Sequence, residues 1–427
     1  MKACILSMGD ELVLGQIQER NAGWLSARLA DMGVETVEHR TVGDHMEDIV
    51  AALDALARRG QLLLTTGGLG PTDDDLLRPA LSRLLRDGDM VEDPAARADI
   101  TRWFAGRGRP MPAINLRQAL RPPSASIIHN PVGTAPGLRA TLHGTPVVCM
   151  PGPPGEMQPM FEQVVVPLVA AAAPARLLRA GIPVVGLGES AVAERLGDRM
   201  ERHRNPLVGT TASGGVVTVR IRARDDAALD EAAFRAVVRQ VESLLAPWCL
   251  GEENPSLAHA VGRMLQSQER TVAVAESCTA GLVAAALTAP AGSSAWFRGG
   301  VSAYANGVKV SLLGVPEATI EANGAVSAPV ALAMARGART RLAASCGIGI
   351  TGIAGPAGAE EGKPVGTVHI AVVVGPGPGE GESIRRFRFP GDRSAVRERA
   401  TQAALQMLRF RLLGTPDSPL LWQESAG

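Results

Sequence analysis

The sequence predicts a three-domain α/β protein: an α/β domain, a small α+β module and a second α/β domain. Three observations predict it. The chain has 427 residues, too many for one hydrophobic core. Its first and last segments alternate short apolar runs with helical periodicity, and in the first this order is the pattern of a parallel sheet with helices on both faces. A smaller segment between them reads β, α, β, β, α. The expected boundaries are 1–173, 178–250 and 255–413.

In the first segment, Ala3–Met8 is a short apolar strand and Asn21–Met32 a helix with Trp24, Leu25, Leu29 and Met32 on one face. Asp44 can N-cap a helix through Arg59, with Ile49, Val50, Leu53 and Leu56 inward. Gln61–Thr66 is a buried-strand run that ends at "TGGLGPTDDD". "NPVGTAPG" and "MPGPPGEM" are turn-rich loops, and a helix follows from about Glu156 to Ala172. The middle segment reads as strand Ile182–Leu187, helix Ser190–Arg202, strands Leu207–Thr211 and Val216–Ala223, and helix Ala227–Leu245. It carries no catalytic cluster.

The last segment begins near Pro255 with a helix. Strand Thr271–Ala275 turns through "ESCTAG" into another helix, and "APAGSSAWFRGG" reads as a loop before "AYANGVKV". A helix at Pro329–Leu342 and a strand at Cys346–Ile350 lead to "TGIAGPAGAEEGKPVGT". Two strands and a helix from Asp392 complete the domain, and the tail after Gly414 is expected to fray.

Composition narrows the function. Forty-three basic residues balance 43 acidic ones, so no basic surplus suggests a nucleic-acid partner. The apolar stretch at 164–173 is too short for a bilayer and contains proline. The start lacks the long apolar run of a signal peptide. Five scattered cysteines without a CxxC pair argue for a reducing cytoplasm and against disulfides or structural zinc. A cytoplasmic protein is expected.

"AYANGVKV" holds the only tyrosine, Tyr304, and one of three lysines, Lys309, in a chain with 40 arginines. Ser277 of "AESCTAG" sits where a strand turns into a helix, near backbone N–H groups of the helix start, and is a candidate nucleophile. Serine needs a base. His259 and His369 lie outside the glycine-rich loops. Lysine serves if burial keeps it neutral, which arginine cannot match. Tyr304 can position the amine or relay a proton, and "TGIAGP" supplies the Thr351 hydroxyl and backbone amides for an oxyanion or phosphate. Plain structural readings stand beside these. Ser277 can be an N-cap, Lys309 a solvated helix residue, Tyr304 a core aromatic and Cys278 a small buried hydrophobe.

"AESCTAG", "GSSAWFRGGVSAYANGVKVSLLGV", "GAVS", "TGIAGPAG", "KPVGTVHIAV" and "GDRSAVR" resemble the C-terminal domain of the CinA (competence/damage-inducible protein A) family. "GDELVLGQI", "TVGD", "TGGLGPTDDD", "GRPMP", "NPVGTAPG" and "MPGPPGEM" resemble its N-terminal, molybdopterin-binding-like domain, in the same order. The middle segment matches the family's KH-like domain by position. The resemblance implies a cofactor-free C-terminal amidohydrolase that converts nicotinamide mononucleotide (NMN) and water to nicotinate mononucleotide and ammonia. It implies Ser277 as nucleophile and Lys309 as its partner, with Tyr304 and Thr351 close by. Thr279, Asn306, Gly352, Gly355 and Arg393 are the expected substrate contacts. Every motif of this set lies beyond Pro255, so a fragment begun there is expected to keep the activity. Ala280 stands where the family has a second glycine. Alanine resists positive φ, so the turn is expected to be ordinary helix there or tighter for substrate. A homodimer is expected.

For the first domain the resemblance implies metal-dependent hydrolysis of ADP-ribose. Gly67, Gly68, Gly70 and Thr72 form a backbone anion cradle after a strand. Asp10, Asp44, Asp74 and Asp75 are oxygen ligands suited to a divalent metal ion. Asp10 and Asp44 also read simply as caps of turns and helices. Met8, Glu19, Arg20 and Leu77 replace polar positions of the family, so this domain is expected to bind weakly, to bind something else or to be inactive. Two rivals remain: a non-enzymatic regulatory binder, and a pterin-binding first domain.

Overall fold

The computed structural model describes residues 1–172, 178–223, 229–252, 254–377 and 379–424. The chain forms two compact units, Met1–Leu177 and Leu178–Gly427.

In the first unit a six-stranded sheet runs Glu35–Val42, Lys2–Met8, Leu62–Thr66, Thr145–Met150, Gly137–Leu142, Ser126–Ile128. The first four strands are parallel and the last two antiparallel. Lys2–Met8 is buried almost throughout because both faces are covered, by Leu25 and Leu29 on one side and Ile49, Leu53 and Leu56 on the other. The strand Glu35–Val42 escaped the sequence reading. It is an edge strand of half-exposed charged and polar residues, without the apolar run of its neighbours. Strands Gly137–Leu142 and Thr145–Met150 and helix Pro94–Ala105 were likewise not foreseen. Asp44 does not cap the Met46–Arg59 helix; His45 is its N-cap residue, without a side-chain bond. The Glu156–Ala172 helix is observed from Pro154 to Ala171, with a π turn at Phe161–Val165.

The second unit holds two sheets. The smaller is antiparallel, in the order Leu207–Ser213, Val216–Arg222, Arg179–Val185, and helices Glu189–Leu196 and Glu231–Leu245 accompany it. Residues 227 and 228, read as the start of the second helix, lie outside the described residues. The larger sheet runs Phe297–Ser302, Val272–Glu276, Cys346–Gly352, Thr367–Val374, Gly381–Arg388. Its first three strands are parallel and the others antiparallel. "WFRGG", read as loop, is mostly the Phe297–Ser302 strand.

Val272–Glu276 pairs on one side with the next strand in sequence and on the other with the one after that. Its carboxyl end is therefore a switch point, where a crevice opens between diverging connections. Ser277 follows that end directly.

The strand faces divide cleanly. Val272 and Val274 join the core under the terminal helix, Arg393–Leu412, while Ala273 and Ala275 face the core that includes Leu313 and Met334. On that second face a Cβ at Gly347 or Gly349 would lie 2.1 Å from the carbonyl oxygen of Ala335 or Ala331. Helix Ala328–Arg341 thus seats directly on glycine backbone.

The middle sheet and the larger sheet share one continuous buried core. The terminal helix makes the joint. Its buried Arg409 donates to the carbonyls of Pro247 at 2.5 Å and Cys249 at 2.6 Å, Gln406 donates to Val185 O at 3.1 Å, and Phe410 meets Trp248 edge-on. The tail after Gly414 does not fray between residues 415 and 424. Trp422 O accepts from Arg388 N, Leu421 N donates to Gly186 O at 2.9 Å, Trp248 Nε1 donates to Pro419 O at 2.8 Å, and Glu424 pairs with Arg386. Apolar Leu420 and Trp422, separated in sequence from any periodic element, give this strap its grip.

A chain begun at Leu178 should unfold as one unit. A chain begun at Pro255 removes the carbonyls that Arg409 binds and the ring that covers Phe410, and baring that aromatic costs about 1.5–3 kcal/mol. Its melting temperature is expected to fall by at least about 4 °C in thermal denaturation. Equal melting temperatures for the two fragments would show that the joint contributes nothing.

Candidate functional site

Four segments meet at the end of Val272–Glu276: the 277–281 turn, the start of helix Asn306–Leu313, the 351–355 loop and the first turns of the terminal helix. Ser277 is mostly buried, and its amide continues the ladder to Ile350 O at 3.0 Å. It does not cap the following helix. Glu276 does that work instead. Its carboxylate, 1% exposed, accepts from Gly281 N at 3.0 Å, Val283 N at 3.1 Å and Ala284 N at 2.9 Å. The amides expected to face substrate at this helix start are therefore already engaged by the protein. A charged residue closing an otherwise apolar strand was the sequence signal for this role.

The turn itself is left-handed at two successive residues, Ala280 at φ 50° and Gly281 at φ 101°. The expectation of ordinary helix at Ala280 is corrected: the backbone keeps the conformation that glycine would favour, and alanine carries the strain. From the other side Arg397 donates to Cys278 O at 3.1 Å and Thr279 O at 2.9 Å. Thr279 is wholly buried, and its hydroxyl has no partner among the described residues. Cys278 is the buried hydrophobe of the plain reading, its thiol pushed up to about 12 by burial.

Lys309 is 1% exposed, so it is not a solvated helix residue. Its Nζ donates to the backbone carbonyl of Tyr304 at 3.1 Å. Burial lowers its pKa, and only the nearby Cys278 acts in the opposite sense. Tyr304 is 63% exposed, so it is not a core aromatic either. The main chain of Tyr304 holds the amine, while its phenol lies 3.4 Å from Arg393 Nη2. Arg393 Nη1 donates to Gly355 O at 2.8 Å. Tyr304, Lys309, Gly355 and Arg393 are thus joined in one chain of bonds. Asn306 is exposed in the first turn of the lysine helix.

Thr351 is buried and donates its hydroxyl to Ala325 O at 2.8 Å, so its single proton is spent on holding the loop. Gly352 fits closely against Thr367 and Val368. His369 stands directly opposite Thr351 in the antiparallel ladder, nearer than its place outside the loops suggested. Burial, with Arg386 and Lys363 nearby, drives its pKa down to about 4, and it stays neutral.

In the first unit a cleft of about 360 Å³ opens at the carboxyl ends of the parallel strands. Gly67, Gly68, Gly70, Asp44, Asp74 and Asp75 line it, joined by Glu11, Gln118 and Glu156, which sequence reading missed. Much of the cradle is satisfied internally. Asp75 accepts from Gly70 N at 2.6 Å, Thr72 N at 2.8 Å and the Thr72 hydroxyl at 2.6 Å. Asp10 and Asp44 each accept from the other's amide at 2.9 Å, the turn-capping role of the plain reading. Burial raises the pKa of Asp44, and the carboxylates of Asp10, Glu11 and Asp74 add to this. Among the described residues no three His, Cys, Asp or Glu side chains converge as metal ligands. Met8 and Leu77 are buried as core, and Glu19 accepts from Ala22 N at the start of a helix.

Comparison with known proteins places each segment. Residues 254–412 match the CinA C-terminal domain, residues 181–251 the damage-inducible protein CinA KH domain, and residues 4–171 the probable molybdopterin binding domain. A CinA-like protein of Frankia casuarinae is 41% identical over 98% of this chain and 98% of its own. One from Synechococcus sp. RCC307 is 42% identical over 96% of this chain and 98% of its own. The chain belongs to the CinA family. The competence/damage inducible protein CihA of Agrobacterium tumefaciens, a crystal structure, is 37% identical over 37% of this chain and 96% of its own, with a TM-score of 0.34. The fold class is the one expected for the family: a molybdopterin-binding-like domain, a KH-like middle domain and a CinA C-terminal domain. No helix among the described residues is long and apolar enough to cross a membrane.

Ala280→Gly removes the left-handed strain of about 1–2 kcal/mol and returns some of it as unfolded-chain entropy. A net gain of about 0.5–1 kcal/mol is expected from denaturant titration. A loss of stability would mean that the turn is not left-handed at this residue.

Proposed function

We propose that the second unit hydrolyses the carboxamide of NMN to nicotinate mononucleotide and ammonia. The observation that carries this reading is the buried, neutral-leaning amine of Lys309 beside the serine turn. Ser277 Oγ attacks the carboxamide carbon as Lys309 takes its proton. The C–N bond then breaks, and the Lys309 ammonium returns the proton to the departing ammonia. Water, deprotonated by the same amine, attacks the resulting ester; the acyl–oxygen bond to Ser277 breaks, the Lys309 ammonium returns the proton to Ser277 Oγ, and nicotinate mononucleotide leaves. Arg393, exposed at the crevice mouth, is the cation available to the phosphate. Tyr304 sets Arg393 through its phenol and Lys309 through its carbonyl.

For the N-terminal cleft we propose at most a weak second activity. Asp10, Asp44 and Asp75 are tied to the protein's own amides, and of the altered positions Met8 and Leu77 serve packing and Glu19 capping. ADP-ribose hydrolysis is expected to be slow or absent with added divalent metal, as read by AMP release. Robust release that Asp74→Asn abolishes would overturn this.

For the amidase, Ser277→Ala should abolish ammonia release and leave NMN binding measurable by calorimetry. Lys309→Arg keeps the charge but cannot accept a proton, and should cost about 10²–10⁴-fold in kcat. Tyr304→Phe should be milder for kcat, because the carbonyl that holds Lys309 is untouched. Neutral Lys309 is the active form, so kcat/KM should rise with pH through a midpoint below that of an ordinary lysine. Folding releases a proton between the folded and unfolded pKa of this residue, so stability rises with pH in that window too. Wild-type kcat in Lys309→Arg, or loss of turnover in Cys278→Ala but not Ser277→Ala, would defeat the assignment.

A further inference from the structure

We infer that Arg397 is a positioning residue for the nucleophile: it fastens the serine turn to the terminal helix and so sets Ser277 against Arg393. The inference rests on the reading of Ser277 as nucleophile. Three features carry it.

The hold is two-pointed. Two nitrogens of the Arg397 guanidinium reach the carbonyls of Cys278 and Thr279, the two residues immediately after Ser277. A planar fork can meet two adjacent carbonyls at fixed geometry, which a lysine ammonium on a flexible stem cannot.

The turn needs holding. Ala280 carries left-handed strain next to Gly281, and Glu276 restrains only the amides that follow. Glu276 pulls on the helix side and Arg397 on the serine side. Together they bracket the strained residues and leave Ser277 little freedom.

The anchor is itself rigid. Arg397 lies one turn beyond Arg393 on a 20-residue helix, on the same face. Asp392 caps that helix by accepting from Ala395 N at 2.9 Å, which fixes its first turn. One stiff element therefore carries both the cation at the crevice mouth and the clamp on the nucleophile. It works as a ruler between the anionic end of the substrate and the attacking oxygen.

The test uses the full chain and two readouts. One is the rate at which a fluorophosphonate labels Ser277, followed by intact mass. The other is kcat and KM for NMN. Arg397→Lys keeps the charge and loses the fork. It is expected to lower the labelling rate and kcat together by about 10²-fold, the loss typical of a nucleophile displaced by about 1 Å. KM should stay near the wild-type value, because no substrate contact is removed. Arg397→Gln repeats the measurement with one donor and no charge, should lysine not be tolerated, and melting temperatures report on folding. Wild-type labelling and kcat in either variant overturns the inference, as does a wild-type Ser277 that does not react with the probe. Arg397-dependent labelling in a protein that releases no ammonia from NMN would sustain the clamp and overturn the substrate.

Discussion

The site in the second unit depends on one constraint: an amine is buried with no carboxylate paired to it among the described residues. A charge taken out of water without a partner is expensive, and the usual escape is neutralisation. Lys309 is closed off from solvent, its bond is to an uncharged carbonyl, and its pKa is lowered by burial. On the proposed reading, an amine whose pKa burial lowers is a better base for the Ser277 hydroxyl than an ordinary lysine. The same constraint explains why lysine stands here in a chain that otherwise uses arginine, whose guanidinium does not give up its proton in this range.

Burying that amine requires a tight stack of elements beneath it. Gly347 and Gly349 let the Ala328–Arg341 helix rest on the sheet backbone. Within that helix, a Cβ at Gly337 would lie 2.1 Å from Leu313 O, at the end of the lysine helix. Two close approaches in series thus press the lysine helix toward the sheet face on which Ala273 and Ala275 sit. Larger residues at these positions would lift the helix and let water reach the amine. The packing link and the chemical link are in this sense one link.

Much of this was legible in the sequence and some was not, for definite reasons. The pairing of Tyr304 with Lys309 was visible, because rare residue types in one short stretch stand out. The atom that joins them was not, since a side-chain reading cannot foresee a main-chain carbonyl as the partner. Strands with continuous apolar runs were found, such as Lys2–Met8 and Val272–Glu276. The edge strand Glu35–Val42 was missed, because an edge tolerates charges that hide its periodicity. Arg397 and Glu276 were missed because both act on backbone atoms. The tail was misread because its hold comes from isolated side chains, Leu420 and Trp422, and from backbone bonds to distant segments. The aspartates of the first unit looked like metal ligands by type, and a side-chain reading could not foresee that Asp10, Asp44 and Asp75 hold loop amides.

A common device then separates the two sites. Carboxylates hold the amides of their own loops: Asp75 those of Gly70 and Thr72, Glu276 those of Gly281, Val283 and Ala284. Such amides are the ordinary means by which a strand–helix turn binds an anion. Here an incoming phosphate would have to displace a built-in carboxylate, so recognition of an anion must fall to side chains. In the second unit Arg393 is exposed, anchored by one nitrogen to Gly355 O and reaching the Tyr304 phenol through the other. Among the residues that line the first unit's cleft there is no lysine or arginine, and Glu11, Asp44, Asp74, Asp75 and Glu156 surround it with negative charge. On the proposed reading, this contrast in available cation, more than any difference in loop shape, favours the second unit as host for a phosphate-bearing substrate.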